Sequence, residues 1–344
     1  MLTSPKRAWN YWKYKRARRT KVLNYLPVEM DIEPVSRCNF HCTMCEVSEW
    51  KKFKRADDLD LDKFRQIIDS QYGLYSIKIQ GLGEPLLARD SFFEMIRYAR
   101  SKYIWVRTTT NASLLHLHDN YKKLVDSGVN EVQVSFDGAT KETFEKIRRG
   151  SKFEQVVANC RTLNEYCQEK KVRPTRMWVL VQTANVHEFF QFVDLAHEMK
   201  FKRMSFSLAL HGFGVERWIE ANETRNASDQ VTTEMCEKAM ARGRELGVDV
   251  SFWNATEKYS TKSVDKLCQW PFGRAYISSD MRVVPCCTIA NPDVSELGRA
   301  DNFTELWNSA SYQEFRDAHL RGDIPKVCQE CYEPKGDSAL SGEA

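Results

Sequence analysis

The sequence predicts an α/β chain: a partial barrel of six strand–helix units around a parallel sheet, followed by a small C-terminal domain. Three observations predict it. Short β-rich runs alternate with stretches of helical spacing as far as residue 210. That rhythm stops near residue 256. The eleven cysteines fall into one group near the start and one in the last quarter, with three singles between.

At 344 residues the chain is long enough for one large domain and a smaller one. Residues 1–27 mix Lys and Arg with Trp9, Tyr11, Trp12 and Tyr14. They read as an amphipathic helix lying on the next domain, with a basic aromatic patch for RNA or a membrane surface as the alternative. A net charge of +4 is too small to imply a nucleic-acid partner by itself. No apolar run is long enough to span a bilayer, and the first twenty residues lack the apolar stretch of a secretory signal. A cytoplasmic protein is the expectation.

The barrel is expected over 28–255. Its strands are read at 28–34, 76–84, 104–112, 131–139, 176–185 and 203–210. Between them "DLDKFRQIIDS", "DSFFEMIRYARS" and "EFFQFVDLAHEM" place apolar residues at helical spacing. Strand, helix, strand at this rhythm means parallel pairing, and such barrels carry their chemistry at the C-terminal ends of the strands.

The smaller domain is expected over 256–334. "RAYISSDMRVVPCC" reads as a hairpin turning at "SSDM", and "TELWNSASYQEFRDAHLRG" as one helix capped by Thr304. "CQEC" falls in a loop, and 335–344 read as a disordered tail.

Clustered cysteines in a reducing compartment bind metal or do catalysis more often than they form disulfides. "CNFHCTMC" places Cys38, Cys42 and Cys45 directly after the first strand. Zinc would need a fourth ligand; the nearest, His41, adjoins Cys42, and adjacent residues rarely point at one ion. A redox pair needs only two cysteines. A [4Fe–4S] cluster held by three thiolates leaves one iron open to another ligand.

C-x3-C-x2-C after the first strand of a six-unit α/β barrel resembles the radical S-adenosylmethionine (SAM) superfamily. The resemblance implies that the open iron chelates the amino and carboxylate groups of SAM. It also implies that an electron from the cluster splits SAM into methionine and a 5′-deoxyadenosyl radical, so that the cofactor does the hard chemistry. The position before the last cysteine is commonly aromatic in that family; here Met44 would cover the adenine by soft apolar contact. "GLGEP" is similar to the family's glycine-rich motif after the second strand. It implies that Gly81 and Gly83 admit the methionine end of SAM and that Glu84 accepts from its ammonium. Asn111 after the third strand, and Ser135 and Asp137 after the fourth, are implied as further contacts, the last two to ribose hydroxyls. Arg148 or Arg149 is implied as partner of the SAM carboxylate.

Cys268, Cys286, Cys328 and Cys331, with their surrounding segments, resemble the SPASM and twitch domains appended to some members. The resemblance implies one auxiliary [4Fe–4S] cluster, structural zinc being the alternative. Cys287 competes with Cys286, since successive side chains at a strand end point to opposite faces. The usual Asp-Gly turn is Asp280-Met281 here. Cys160 and Cys167 read as buried small residues, and Cys236 as the one nominee for a hydrogen-atom donor.

The expected function is hydrogen abstraction from a small polar metabolite of sugar or aminocyclitol type, completed as a two-electron oxidation through the auxiliary cluster. A flavodoxin- or ferredoxin-type protein is the implied electron donor. The short stretch before the first strand favours a small substrate over a peptide. A peptide-modifying enzyme (epimerase or cross-linking), an RNA-modifying enzyme and a structural metal-binding protein are the alternatives.

Overall fold

The computed structural model describes residues 4–208, 210–253 and 258–333; the tail expected at 335–344 lies outside them. Its strands form one ten-stranded sheet in the order β10-β9-β8-β1-β2-β3-β4-β5-β6-β7. Strands β1 (Glu29–Ile32), β2 (Ser76–Ile79), β3 (Trp105–Thr110), β4 (Glu131–Ser135), β5 (Thr175–Leu180) and β6 (Arg203–Ser207) are the six expected ones. All pair in parallel with their sequence neighbours.

A seventh parallel strand, β7 (Asp249–Trp253), follows on β6. The sequence reading passed over it, although Gly247 at φ +68 ends the preceding helix and "VSFW" follows at once.

The C-terminal segment does not stand apart from the barrel. Strand β8 (Arg274–Ile277) pairs in parallel with β1, Glu29 opposite Arg274 and Asp31 opposite Tyr276. Strand β9 (Arg282–Val284) returns antiparallel to β8 through the expected hairpin, and β10 (Gly298–Arg299) pairs antiparallel with β9. Met281, where the family pattern has Gly, takes φ +67, the left-handed conformation that glycine adopts most readily. The helix expected over 304–322 is broken. Thr304 lies inside a short helix, Phe303–Leu306, and Ser309 caps a second, Ala310–Leu320, by accepting from the Tyr312 N–H. Serine bonds readily to nearby backbone and so starts helices better than it continues them.

Helix α1 (Pro5–Arg16) starts at Ser4 with Pro5 in its first turn. It lies over the segments that lead into the strands. Asn10 bonds the Leu26 carbonyl at 2.9 Å and receives the Leu26 N–H at 2.8 Å, and Arg7 donates to the Lys102 carbonyl at 3.0 Å. Its basic aromatic residues therefore lie at the opposite end of the barrel from the expected site. Helix α2 (Leu61–Ser70), capped by Asp60, and helix α3 (Asp90–Ser101) begin the outer layer.

Alternation splits the strands into two faces. Met30, Ile32, Ile79, Val132, Met177 and Phe206 are fully buried beneath the helices. The inner face is charged. Glu29 pairs with Arg107 at 3.3 Å and Arg274 at 3.0 Å, and Glu131 with Arg176 at 3.7 Å and Arg203 at 4.0 Å. Closed eight-stranded barrels fill this space with branched apolar side chains; a charged lumen leaves room for a polar ligand above it.

Candidate active site

The loops at the C-terminal ends of the strands enclose a cavity of about 360 Å³, within the range of small-molecule sites. Cys38, Cys42 and Cys45 all line it. Their loop is held in place by backbone bonds to the far side of the barrel, from the His41 N–H to the Arg149 carbonyl and from the Thr43 N–H to the Ile147 carbonyl. The His41 ring stacks on Phe53 at 3.6 Å, so it is committed there rather than to a metal.

The glycine-rich loop packs directly on this segment. A Cβ on Gly83 would lie 2.4 Å from the Val35 carbonyl oxygen and 2.5 Å from that of Arg37; one on Gly81 would lie 2.3 Å from the Glu33 carboxylate. Neither glycine has a positive φ. What demands them is close packing on the cysteine loop. Glu84 lines the cavity, but its carboxylate is already engaged by the Thr110 hydroxyl at 2.7 Å and the Asn111 N–H at 2.7 Å. Burial raises its pKa, against the pull of these donors. Its visible work is to tie the ends of β2 and β3 together.

Asn111 also lines the cavity, donating to Asn39 at 3.0 Å with the Cys38 sulfur at 3.9 Å. Ser135, Met44 and Arg148 complete the expected set there. Asp137 does not line the cavity. Its carboxylate is buried, accepting from the Leu180 N–H at 2.9 Å and pairing with Arg148 at 2.7 Å. It therefore positions the arginine and is turned away from any ribose. Arg149 bonds the His41 carbonyl on the outside, which leaves Arg148 as the arginine of the cavity.

The second cysteine group assembles from three pieces. Cys268 precedes the turn Trp270–Gly273, Cys286 follows β9, and Cys328 and Cys331 lie in the turn Lys326–Cys331. Beyond its burial, Cys286 feels Cys268 and Cys328, and Cys328 feels Cys268 and Cys331. Cys287 points the other way and lines the main cavity, where Asp31 and Lys78 are the charges that act on it most. Tyr332 accepts from the Cys268 N–H at 2.9 Å, and Tyr259 packs on Tyr332, shielding the group.

Both thiol groups fit an iron–sulfur cluster by their chemistry. Burial pushes Cys45 up to about 12 and Cys331 to about 11, so thiolates there need bound cations beside them.

Cys160 and Cys167 lie on the buried face of the helix Phe153–Glu169, as expected. Cys236 is half-buried in the first turn of the outer helix Thr233–Leu246 and does not line the cavity. A hydrogen-atom donor must reach the substrate, so that nomination fails. Sequence reasoning did not place Cys287 in the cavity, which it lines; the doubled cysteine at a strand end was the available signal.

The Radical SAM superfamily model matches residues 32–196, and a model described as an iron–sulfur cluster-binding domain matches residues 268–332. A GTP 3′,8-cyclase of Desulforamulus reducens is 31% identical over 184 residues, and the match spans about half of it, 53%, and 52% of this chain. The mycofactocin maturase MftC of Mycobacterium ulcerans is 24% identical over 312 residues, which is 89% of this chain and 80% of the relative. Among solved structures, SuiB of Streptococcus suis, bound to its precursor peptide SuiA, superposes with a TM-score of 0.68 at 16% identity, covering 90% of this chain and 69% of that one. The structure anSMEcpe with bound AdoMet gives 0.62 at 19% identity, covering 88% and 85%. No helix among the described residues is long and apolar enough to cross a membrane.

Proposed function

Because the chain belongs to the radical SAM superfamily and carries an iron–sulfur cluster-binding domain toward its C-terminal end, we propose that it modifies a peptide by hydrogen abstraction. The observation that carries this reading is the wall of the cavity. Phe40, Leu82, Trp178, Leu180, Phe213 and Trp253 make much of it apolar. A peptide side chain can seat in such an aromatic wall, and Ser135, Ser207, His211 and Thr288 on the same lining can meet polar atoms of its backbone. SuiB with its precursor peptide, anSMEcpe, also solved with a Cp18Cys peptide bound, and a maturase among the relatives support the same substrate class. The small-metabolite expectation gives way to the peptide alternative.

Cys38, Cys42 and Cys45 would hold the cluster that binds SAM, and Cys268, Cys286, Cys328 and Cys331 the auxiliary one. When bound, the first cluster and SAM supply a 5′-deoxyadenosyl radical. Around them the chain's own groups orient and exclude. Met44 would cover the adenine, Arg148, held by Asp137 at 2.7 Å, would offer its guanidinium to the SAM carboxylate, and the apolar wall would keep water from a radical. A flavodoxin- or ferredoxin-type carrier would supply the electron.

The test is to co-express the protein with short open reading frames that flank its gene and to read the peptides by mass spectrometry. Modification is expected with the intact protein and not with Cys42→Ala. Turnover of aminocyclitols or sugars, with every peptide unchanged, overturns the reading.

A further inference from the structure

We propose that Cys287 is a catalytic hydrogen-atom donor, returning hydrogen to the substrate radical so that the outcome is inversion at carbon rather than oxidation. The proposal rests on the peptide-modifying reading above and deepens it.

Four cysteines line the cavity: Cys38, Cys42, Cys45 and Cys287. The first three form the family's cluster motif, which leaves Cys287 as the one thiol there with its hydrogen to give. Its neighbour Cys286 is not on the cavity lining and lies near Cys268 and Cys328 as well as Cys287, so the ligand role falls to Cys286 and the free thiol to Cys287. Asp31 and Lys78, register partners on β1 and β2, flank it. Among the described residues no hydrogen bond or ion pair engages either side chain. Burial pushes Asp31 up to about 6 and Lys78 down. Asp31 and Lys78 thus bring charge near the thiol, which also packs against Tyr276, Val284 and Ala290.

The step balances as follows. Abstraction leaves a radical at a substrate carbon; the S–H bond of Cys287 breaks, a C–H bond forms on the face toward the thiol, and a thiyl radical remains. One electron from a low-potential carrier of ferredoxin or flavodoxin class and one proton from solvent restore the thiol. The S–H bond is comparable in strength to the C–H bond of a peptide α-carbon, so the transfer is near thermoneutral and re-reduction of the thiyl radical draws it forward. Oxidation would need the radical to lose an electron before this hydrogen reaches it.

SAM alone tests the donor, with no peptide present. The reconstituted protein is reduced in deuterated water, where the thiol exchanges, and the 5′-deoxyadenosine formed is analysed for deuterium. The expected result is 5′-deoxyadenosine carrying one deuterium from the native protein and loss of that label in Cys287→Ala and Cys287→Ser. Both variants should keep the native iron content, whereas Cys286→Ala should lose about four irons per chain. Unchanged labelling in both variants overturns the proposal. So does loss of iron in Cys287→Ala, which would make Cys287 a ligand, or, in the co-expression experiment above, a peptide two mass units lighter. Failure of the peptide reading is separate: no peptide would change, while the label would still depend on Cys287.

Discussion

Gly83 shows how much of this site is set by the absence of one carbon atom. Its missing Cβ would overlap the carbonyl oxygens of Val35 and Arg37 and the Arg37 nitrogen, at 2.4, 2.5 and 2.8 Å. All three are backbone atoms, which cannot swing aside as a side chain does. Gly83→Ala should therefore displace the cysteine loop and cost about 1–3 kcal/mol. Thermal unfolding and iron content should both fall relative to the native protein; unchanged values for both would refute the packing argument. The sequence reading named both glycines but assigned them to the approach of SAM, because a one-dimensional motif does not reveal which backbone lies against it. It also set Asp137 beside the ribose, since nothing in "SFDG" discloses that Arg148, eleven positions on, takes that carboxylate.

Between the barrel and the C-terminal hairpin stands a buried charge network. Arg55 pairs with Glu33 at 3.0 Å and with Asp280 at 2.9 Å, and the Glu33 side chain is fully buried. Glu33 also receives the N–H groups of Leu82 and Ser279. One carboxylate thus joins the end of β1, the glycine loop and the turn after β8. Burial alone would raise Asp280, but its bonds to Arg55 and Arg282 hold it down to about 2. Its contribution is thus complete above its unfolded value, about 3.9, and is lost as pH falls toward 2. Arg55→Met strands a buried carboxylate and should cost about 3–5 kcal/mol. Adding Glu33→Gln, which removes the stranded charge and keeps an acceptor for the Leu82 and Ser279 N–H groups, should recover part of that loss, as thermal unfolding of the single and double variants would show; equal melting of both would refute the network. None of this was legible in advance, because Glu33, Arg55 and Asp280 are far apart in sequence and each reads as an ordinary polar residue. The six strands were legible, their alternation being a local signal. The seventh was missed because five residues with a charged start carry too little of it, and the expected single helix over 304–322 concealed the cap at Ser309.

For the molecule as a whole, the continuous sheet matters most. Strand β8 closes the free edge of β1, so the barrel and the C-terminal hairpin are one hydrogen-bonded unit. A chain ended after residue 255 should expose that edge, with its row of unpaired backbone groups, and associate through it. Size-exclusion chromatography of the truncated chain should show aggregates; a monodisperse monomer would refute the claim that β8 is integral to the barrel.

The same pairing has a consequence for how the protein is made. Glu29 meets Arg274, a partner that the ribosome adds on the order of ten to fifty seconds later at about 5–20 residues per second. Throughout that interval the nascent chain carries Cys38, Cys42 and Cys45 beside an unclosed edge, while the residues matched by the iron–sulfur cluster-binding domain model, 268–332, are still being translated. Iron–sulfur delivery to the first site therefore has an open door during synthesis. Arrival of β8 shuts it, and Cys286, nine residues behind Ile277, then begins the second site.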